Sequence, residues 1–312
     1  MHITPTATIK INFTDFWEDF DKTDNFFFNL LSQSFNVEIT EQPEILFYSC
    51  YGNSYRQYNC IKVFYASENN RPDFSECDYA LSFDFSDKPQ HLRLPLYYLY
   101  YERHGYHLSV ERPLNMEEAR LQWRSKTKFC CMLVSNPNAT DRIHFFEVLN
   151  KMKRVDSGGR YLNNIGHSVA DKTEFIKDYR FVISFENAGY PGYTTEKIME
   201  PMAMHCIPIY FGNPAISKDF NTASFINVHD FETYEDAAGY VLQIDADETK
   251  AVEILTATKQ SADAATYEQM KLRVGDFLEK VINNKDQKPV SASSKTRLIK
   301  IYRKVTQKLK GL

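Results

Sequence analysis

Short apolar runs of strand length recur along this chain, each followed by a helical or turn-forming stretch, and no other feature restricts the fold as much. In the first half, residues 8–13, 35–39, 45–48, 61–65 and 79–83 read as strands, with a helix over 25–34. In the second half, strands at 129–134, 179–185, 206–211 and 225–228 enclose helices at 141–151 and 195–205, and further helices end near Asn283. On the 141–151 helix Ile143, Phe146 and Leu149 fall on one face. Alternation in both halves implies two doubly wound α/β domains, and a length of 312 residues accommodates two. The charged stretch carrying Glu117, Glu118, Arg120, Arg124 and Lys126 sets the junction, giving domains 1–124 and 125–285 and, over 286–312, a polar linker followed by a basic amphipathic tail. No repeat of fixed period occurs, which excludes a solenoid.

Composition narrows the class further. Hydrophobic residues make up 43% and charged residues 25%, enough to bury a sizeable core. No run approaches the roughly 18 to 20 apolar residues of a bilayer span, and MHITPTATIKINF has no export-signal pattern, so a cytoplasmic location is expected. Cys50, Cys60, Cys77, Cys130, Cys131 and Cys206 form no CxxC pair and read as reduced, mostly buried thiols; Cys130 and Cys131 point to opposite faces of a strand. From Lys288 onward there are eight basic and no acidic residues, leaving 29 basic against 41 acidic groups before it. An acidic body with a basic end is not the basic folded face of a nucleic-acid binder. In that end Leu298, Ile301, Tyr302, Val305 and Leu309 follow helical spacing among lysines and arginines. Three readings fit: a peripheral anchor on the anionic inner face of a membrane, a helix docked on the acidic body, or a solvated tail.

The densest chemistry lies in FVISFENAGYPGYTTEKIMEPMAMHCIPIYFGNP at 181–214, a strand, a Gly/Pro-containing loop, a helix and a second strand. Such a loop leaves the carboxyl end of the strand, where open α/β sheets bind ligands, and the helix start offers N–H groups to an anion. Thr194 or Thr195 suits the N-cap, Glu196 the first turn, and Lys197 adds a positive charge. A diphosphate fits such a place. Tyr190 and Tyr193 flank the loop glycines and offer faces for a sugar or base. From spacing alone, ordinary turn chemistry with a solvated Glu–Lys pair accounts for the same residues.

This segment resembles the donor-binding motif of the bacterial α-1,3/4-fucosyltransferases, F-E-N followed by a short loop and Y-(V/I/T)-T-E-K. The resemblance extends through SNPNATDRIHFFEVLNKMKRVDSGGRYLNNIG and FGNPAISKDFNTASFINVHDF and into FYASENNRPDFSECDYALSFDF, covering roughly residues 60 to 235. It implies a GT-B fold, with two Rossmann-like domains facing across a cleft, an acceptor-binding domain first and a GDP-sugar-binding domain second. It further implies inverting transfer of L-fucose from GDP-fucose to N-acetylglucosamine in an N-acetyllactosamine-type glycan, α-1,3 or α-1,4 linked. Matching residue by residue assigns Arg142 and Lys197 to the diphosphate, Asn187, Tyr193 and Glu196 to donor contacts, and Glu68 to the general base. Glu186, in the same motif, is a further donor-site candidate. Ser157, Gly158 and Gly159, with Asn163 and Asn164, are loop candidates for guanine or plain turn residues. Thr194 and Pro201 depart from the commonest motif, and Pro201 should interrupt the helix.

The chemistry agrees with these assignments. Negative charge builds on the leaving diphosphate of an oxocarbenium-like transition state, so cations are needed there and a base at the acceptor hydroxyl. Arg142 and Lys197 supply the first and Glu68 the second, and no metal or other cofactor is expected. Asp19 with Asp21 and Asp245 with Asp247 read as solvated faces, and His104 with His107 lacks a third ligand. Two alternatives remain at this stage: transfer from another GDP-sugar such as GDP-mannose, and a catalytically inactive, membrane-associated glycan-binding protein.

Overall fold

Two parallel sheets, one in each of two α/β units, organise the computed structural model, which describes residues 7–135 and 137–290. The first unit runs to Leu94 and resumes at Met270. It contains β1 (Thr8–Thr14), α1 (Phe26–Leu31), β2 (Asn36–Ile39), β3 (Ile45–Tyr48), β4 (Ile61–Tyr65), β5 (Tyr79–Ser82) and β6 (His91–Arg93). The strands pair in the order β2-β1-β3-β4-β5-β6, all parallel. Every residue of β3, β4 and β5 is buried, as in strands covered on both faces, including Lys62 of β4, whose ammonium donates to the carbonyl of Val290, and Ser82 of β5, whose hydroxyl bonds His91. Asn25 caps α1 by accepting from the amides of Phe27 and Phe28, and Phe26 and Phe27 enter the core.

The second unit spans Pro95–Gln269. Its elements are α2 (Tyr97–His104), α3 (His107–Val110), α4 (Met116–Ser125), β7 (Lys128–Met132), α5 (Thr140–Met152), β8 (Asp156–Ser157), α6 (Lys172–Ile176), β9 (Tyr179–Phe185), α7 (Glu196–Ala203), β10 (Ile207–Phe211), β11 (Ile226–Asn227), α8 (Tyr234–Ala246) and α9 (Glu248–Thr256). The helix α10 (Tyr267–Asn283) begins here and continues into the first unit. The sheet order is β11-β10-β9-β7-β8, again parallel. Because β8 lies on one side of β7 and β9 on the other, the strand order reverses between β7 and β9, and a ligand crevice opens at such a point. Cys130 packs with Phe145, Leu149 and Phe181 on one face of the sheet. Cys131 packs with Ile176 and Val182 on the other. All six cysteines are free thiols, four of them buried.

The domain boundaries differ from those expected at 124/125 and 285/286. Residues 95–124 belong to the second unit: Tyr97 packs on Phe220 with ring centroids 5.1 Å apart, Tyr98 donates to the carbonyl of Ala265 at 2.6 Å, and Arg124 pairs with Glu248 at 2.7 Å. At the other end the chain returns to the first unit, where Phe277 packs on Tyr79, Lys280 donates to the carbonyl of Pro89 at 2.6 Å, and Lys285 pairs with Glu44 at 2.5 Å. The amide of Val290 bonds Asp78 at 2.7 Å, so the start of the expected linker is anchored. These contacts join residues far apart in sequence, and local composition carries no mark of them. The basic amphipathic segment 294–312 lies outside the described residues. Among the described residues, no helix is long and apolar enough to cross a membrane.

Candidate active site

A cavity of about 750 Å³ opens in the second unit at the carboxyl ends of β7, β8 and β9, the place where the strand order reverses. Leu133 and Ser135 line it from the end of β7, Gly158 and Gly159 from the end of β8, and Asn187 from the end of β9. Arg142 of α5 and Glu196 and Lys197 of α7 complete the polar side.

Arg142 is not the surface charge its position near a helix start would ordinarily make it. Its residue is 4% exposed. One guanidinium nitrogen, Nη2, donates to the carbonyl of Phe185 and, at 3.0 Å, to Oδ1 of Asn187. Burial pushes its pKa down, opposed by the carboxylates of Glu186 and Glu196. A guanidinium stays charged through such a shift, so the cavity holds a fixed cation, oriented by the end of β9.

The start of α7 differs from the expected cap. Thr195 occupies the N-cap position, yet its side chain makes no capping bond. Glu186, just after β9, holds the N-cap residue itself: its Oε1 accepts from the Thr195 amide and its Oε2 from the Thr195 hydroxyl, both at 2.7 Å. Oε2 also receives Lys197 Nζ at 3.3 Å, while Glu196 Oε1 lies 3.5 Å from the same ammonium. Burial raises the Glu186 carboxyl, with Lys197 opposing. At Glu196 burial also acts upward, but Lys197 and Lys172 outweigh it and hold the carboxyl at about 2. Lys197 is pulled down by burial and raised overall by Glu196 and Glu186. Pro201 does not stop the helix, which continues to Ala203. Pro201 has no N–H to offer the carbonyl of Lys197, four residues earlier.

A second buried network fixes the loop before α7. Thr194 donates to Asp219 Oδ2 at 2.7 Å and accepts from Asn213 Nδ2 at 2.9 Å, and Asn213 Oδ1 receives the Gly192 amide at 2.7 Å. The departure from the commonest motif at Thr194 thus serves as a hydrogen-bonding post. Tyr193 is 2% exposed and forms no part of the cavity wall, so the ring is placed in the packed loop and not against the cavity.

Of the loop candidates, Gly158, Gly159 and Asn163 reach the cavity. A Cβ on Gly159 would stand 1.9 Å from the carbonyl oxygen of Val134, so only glycine lets this loop pass so close to the end of β7. Ser157 is buried behind the wall, and its hydroxyl has no hydrogen-bond partner among the described residues. Asn164 is spent on the loop itself, accepting from the Ser157 amide and donating to the carbonyl of Val155, each at 2.8 Å. Two further cations on the wall, Arg160 and Lys172, escaped the sequence reading. Lys172 pairs with the buried Glu200 of α7, one helical turn beyond Glu196. No local pattern around Lys172 marks it, because its partner comes from another element.

Glu68 belongs to the other unit, just beyond β4, where it is half-buried. The hydroxyl of Tyr51, beyond β3, donates to Glu68 Oε1 at 3.3 Å. Tyr51 is anchored in turn, its amide donating to the carbonyl of Asp15 at 3.0 Å. Asp15, at φ +58°, accepts the amides of Ser54 at 3.0 Å and Tyr55 at 2.8 Å. The acidic pairs weighed as metal clamps have other partners: Asp21 accepts from Thr23, Asp245 pairs with Lys153 and Arg180, and Asp247 caps α9.

Comparison with known proteins decides the family. Residues 123–288 match the model of glycosyltransferase family 10 (fucosyltransferase), C-terminal part, and residues 11–100 match the α-(1,3)-fucosyltransferase FucT N-terminal domain. The chain belongs to glycosyltransferase family 10. Helicobacter pylori α-(1,3)-fucosyltransferase FucT is 33% identical over 273 residues, covering 75% of the chain and 56% of that protein. A Bos taurus 3-galactosyl-N-acetylglucosaminide 4-α-L-fucosyltransferase is 30% identical over 139 residues, covering 43% of the chain and 38% of its own length. The chain therefore spans about half or less of these curated relatives. Crystal structures of an α1,3-fucosyltransferase with GDP and with GDP-fucose superpose with TM-scores of 0.76 and 0.77, at 28% and 27% identity, covering 92% of this chain and 94% of each. The family 10 chain thus has the GT-B class of fold, built from two parallel-sheet α/β units.

Proposed function

We propose that this family 10 chain is an inverting α-1,3-fucosyltransferase, moving L-fucose from GDP-fucose to a hydroxyl of N-acetylglucosamine in an N-acetyllactosamine-type acceptor. The observation that carries the reading is the cavity at the β7/β9 reversal with a buried, oriented Arg142 and a paired Lys197 on its wall. It occurs in a chain whose solved relatives are α1,3-fucosyltransferases crystallised with GDP and GDP-fucose. A cavity of this size suits a nucleotide sugar.

In the proposed reaction the acceptor oxygen forms a bond to the anomeric carbon as the bond from that carbon to the β-phosphate oxygen breaks. The departing electron pair stays on GDP, where Arg142 and Lys197 meet the charge, and the acceptor proton passes to Glu68. The cations take the place a divalent metal would fill, so no metal or other cofactor is required. Asn187 and Glu196 complete the donor contacts, and Gly158, Gly159 and Asn163 form the wall beside them. The basic segment 294–312 gives peripheral attachment to the anionic inner face of a membrane.

GDP release from GDP-fucose and from GDP-mannose, each with a lactosamine acceptor, tests the reading. Acceptor-dependent release with GDP-fucose alone is expected. Equal release with GDP-mannose would make it another GDP-sugar transferase, and no release with either would leave a glycan-binding protein.

A further inference from the structure

The motif that includes Glu186 places it with the donor contacts, but its geometry assigns it different work. We propose that Glu186 is a positioning residue: buried behind the cavity, it holds the Lys197 ammonium in place for the donor diphosphate without touching the donor. The proposal rests on the donor-site reading above and adds a division of labour within it.

Both carboxylate oxygens are already engaged. Oε1 accepts from the Thr195 amide at 2.7 Å, and Oε2 accepts from the Thr195 hydroxyl at 2.7 Å and from Lys197 Nζ at 3.3 Å. The side chain has no exposed area, and the wall in front of it is made by Asn187, Glu196 and Lys197. It is also held from behind. The Glu186 amide donates to the carbonyl of Phe211 at 2.8 Å, and the next residue, Gly212 at φ +153°, lies against the carboxylate's own stem. A Cβ there would stand 2.5 Å from Glu186 Cγ, so Gly212 leaves the space that this rotamer needs.

The consequence concerns Lys197. A lysine ammonium on a four-carbon stem is a mobile point charge, and ordering it on ligand binding costs side-chain entropy. Glu186 behind and Glu196 beside the ammonium confine it before any donor arrives. An anion is needed for this, since a neutral amide has one accepting oxygen in place of two: it can keep only one of the Thr195 donors, and it loses most of the pull on the ammonium.

The test is a double-mutant cycle read by calorimetric titration of GDP, with a melting curve for each variant. Lys197→Ala and Glu186→Gln should each weaken GDP binding by about tenfold or more, the scale of one charge-assisted contact. The double variant should bind no more weakly than Lys197→Ala alone, because Glu186 acts through that ammonium. If Glu186→Gln does not fold, Glu186→Asp, which draws the carboxylate back by one methylene, and Gly212→Ala, which crowds it, carry the same cycle. Each should weaken GDP binding in the wild-type background and leave it unchanged in the Lys197→Ala background. Fully additive losses, or wild-type affinity in Glu186→Gln beside a clear loss in Lys197→Ala, would overturn this inference alone. A wild-type protein that binds no GDP would take the donor reading down with it.

Discussion

Arg142 and Asn187, 45 positions apart in the chain, are joined by a 3.0 Å hydrogen bond from Nη2 to Oδ1. The bond ties the first turn of α5 to the second residue after β9, across the point where the sheet reverses its order. It aims a buried cation at a cavity and, by occupying the amide oxygen, sets the side-chain orientation of Asn187. A helix start and a strand end that are separate in sequence become one anion-binding corner.

Arg142→Ala should therefore lower kcat/KM on the order of 10² to 10³, the usual scale for one preorganised charge donor, and chelator should leave most activity in place. Assays of purified wild type and variant with GDP-fucose and a lactosamine acceptor, with and without EDTA, measure both. Activity abolished by chelator and restored by manganese would overturn the metal-free account of the leaving group.

Glu68→Gln keeps the bond from Tyr51 but removes the proton acceptor. Transfer should fall by about 10² to 10⁴-fold, the range of a general base, while GDP affinity stays near that of wild type. Near-normal turnover in this variant would shift the search for the base to other carboxylates.

Deleting residues 294–312 should weaken binding to anionic phosphatidylserine vesicles and leave turnover of a soluble acceptor nearly unchanged. Flotation with the vesicles and a soluble-acceptor assay separate the two effects. Unchanged vesicle binding, or a large loss of turnover, would make the segment a structural element.

His205 gives a stability signature at mild acidity. Burial, then the nearby Lys126, Lys259 and Arg112, hold its pKa at about 4 against an ordinary 6.5. The unfolded chain then binds the proton more readily than the folded one, so stability is full above pH 6.5 and falls as pH drops toward 4. Allowing for partial exposure, the loss from this group is about 1–2 kcal/mol. His205 also sits at φ +55°, a conformation asparagine tolerates. His205→Asn should flatten the fall in urea midpoint between pH 6.5 and 4; an unchanged slope would assign the acid sensitivity elsewhere.

The amino-acid sequence by itself determined the local terms. Apolar-rich runs such as Ile45–Tyr48 and Tyr179–Phe185 read as buried strands, and the structure has them with those bounds, Arg180 alone among their residues being only partly buried. The motif around Asn187, Glu196 and Lys197 was legible because its residues lie within one strand-loop-helix unit, where spacing along the chain still reflects spacing in space. What the fold alone decided are the relationships between elements. Arg142 is buried because Phe185 and Asn187 meet it from the end of β9, Lys172 joins the wall because Glu200 holds it, and the Thr195 hydroxyl, which makes no capping bond, is taken by Glu186. The unit boundaries fall at Leu94 and Met270 for the same reason, since Tyr97 finds Phe220 and Phe277 finds Tyr79. Periodicity records which face of an element is apolar, but the partner that covers that face, and the charge that a buried side chain meets there, come from closure of the chain between separate elements and leave no trace in the local pattern.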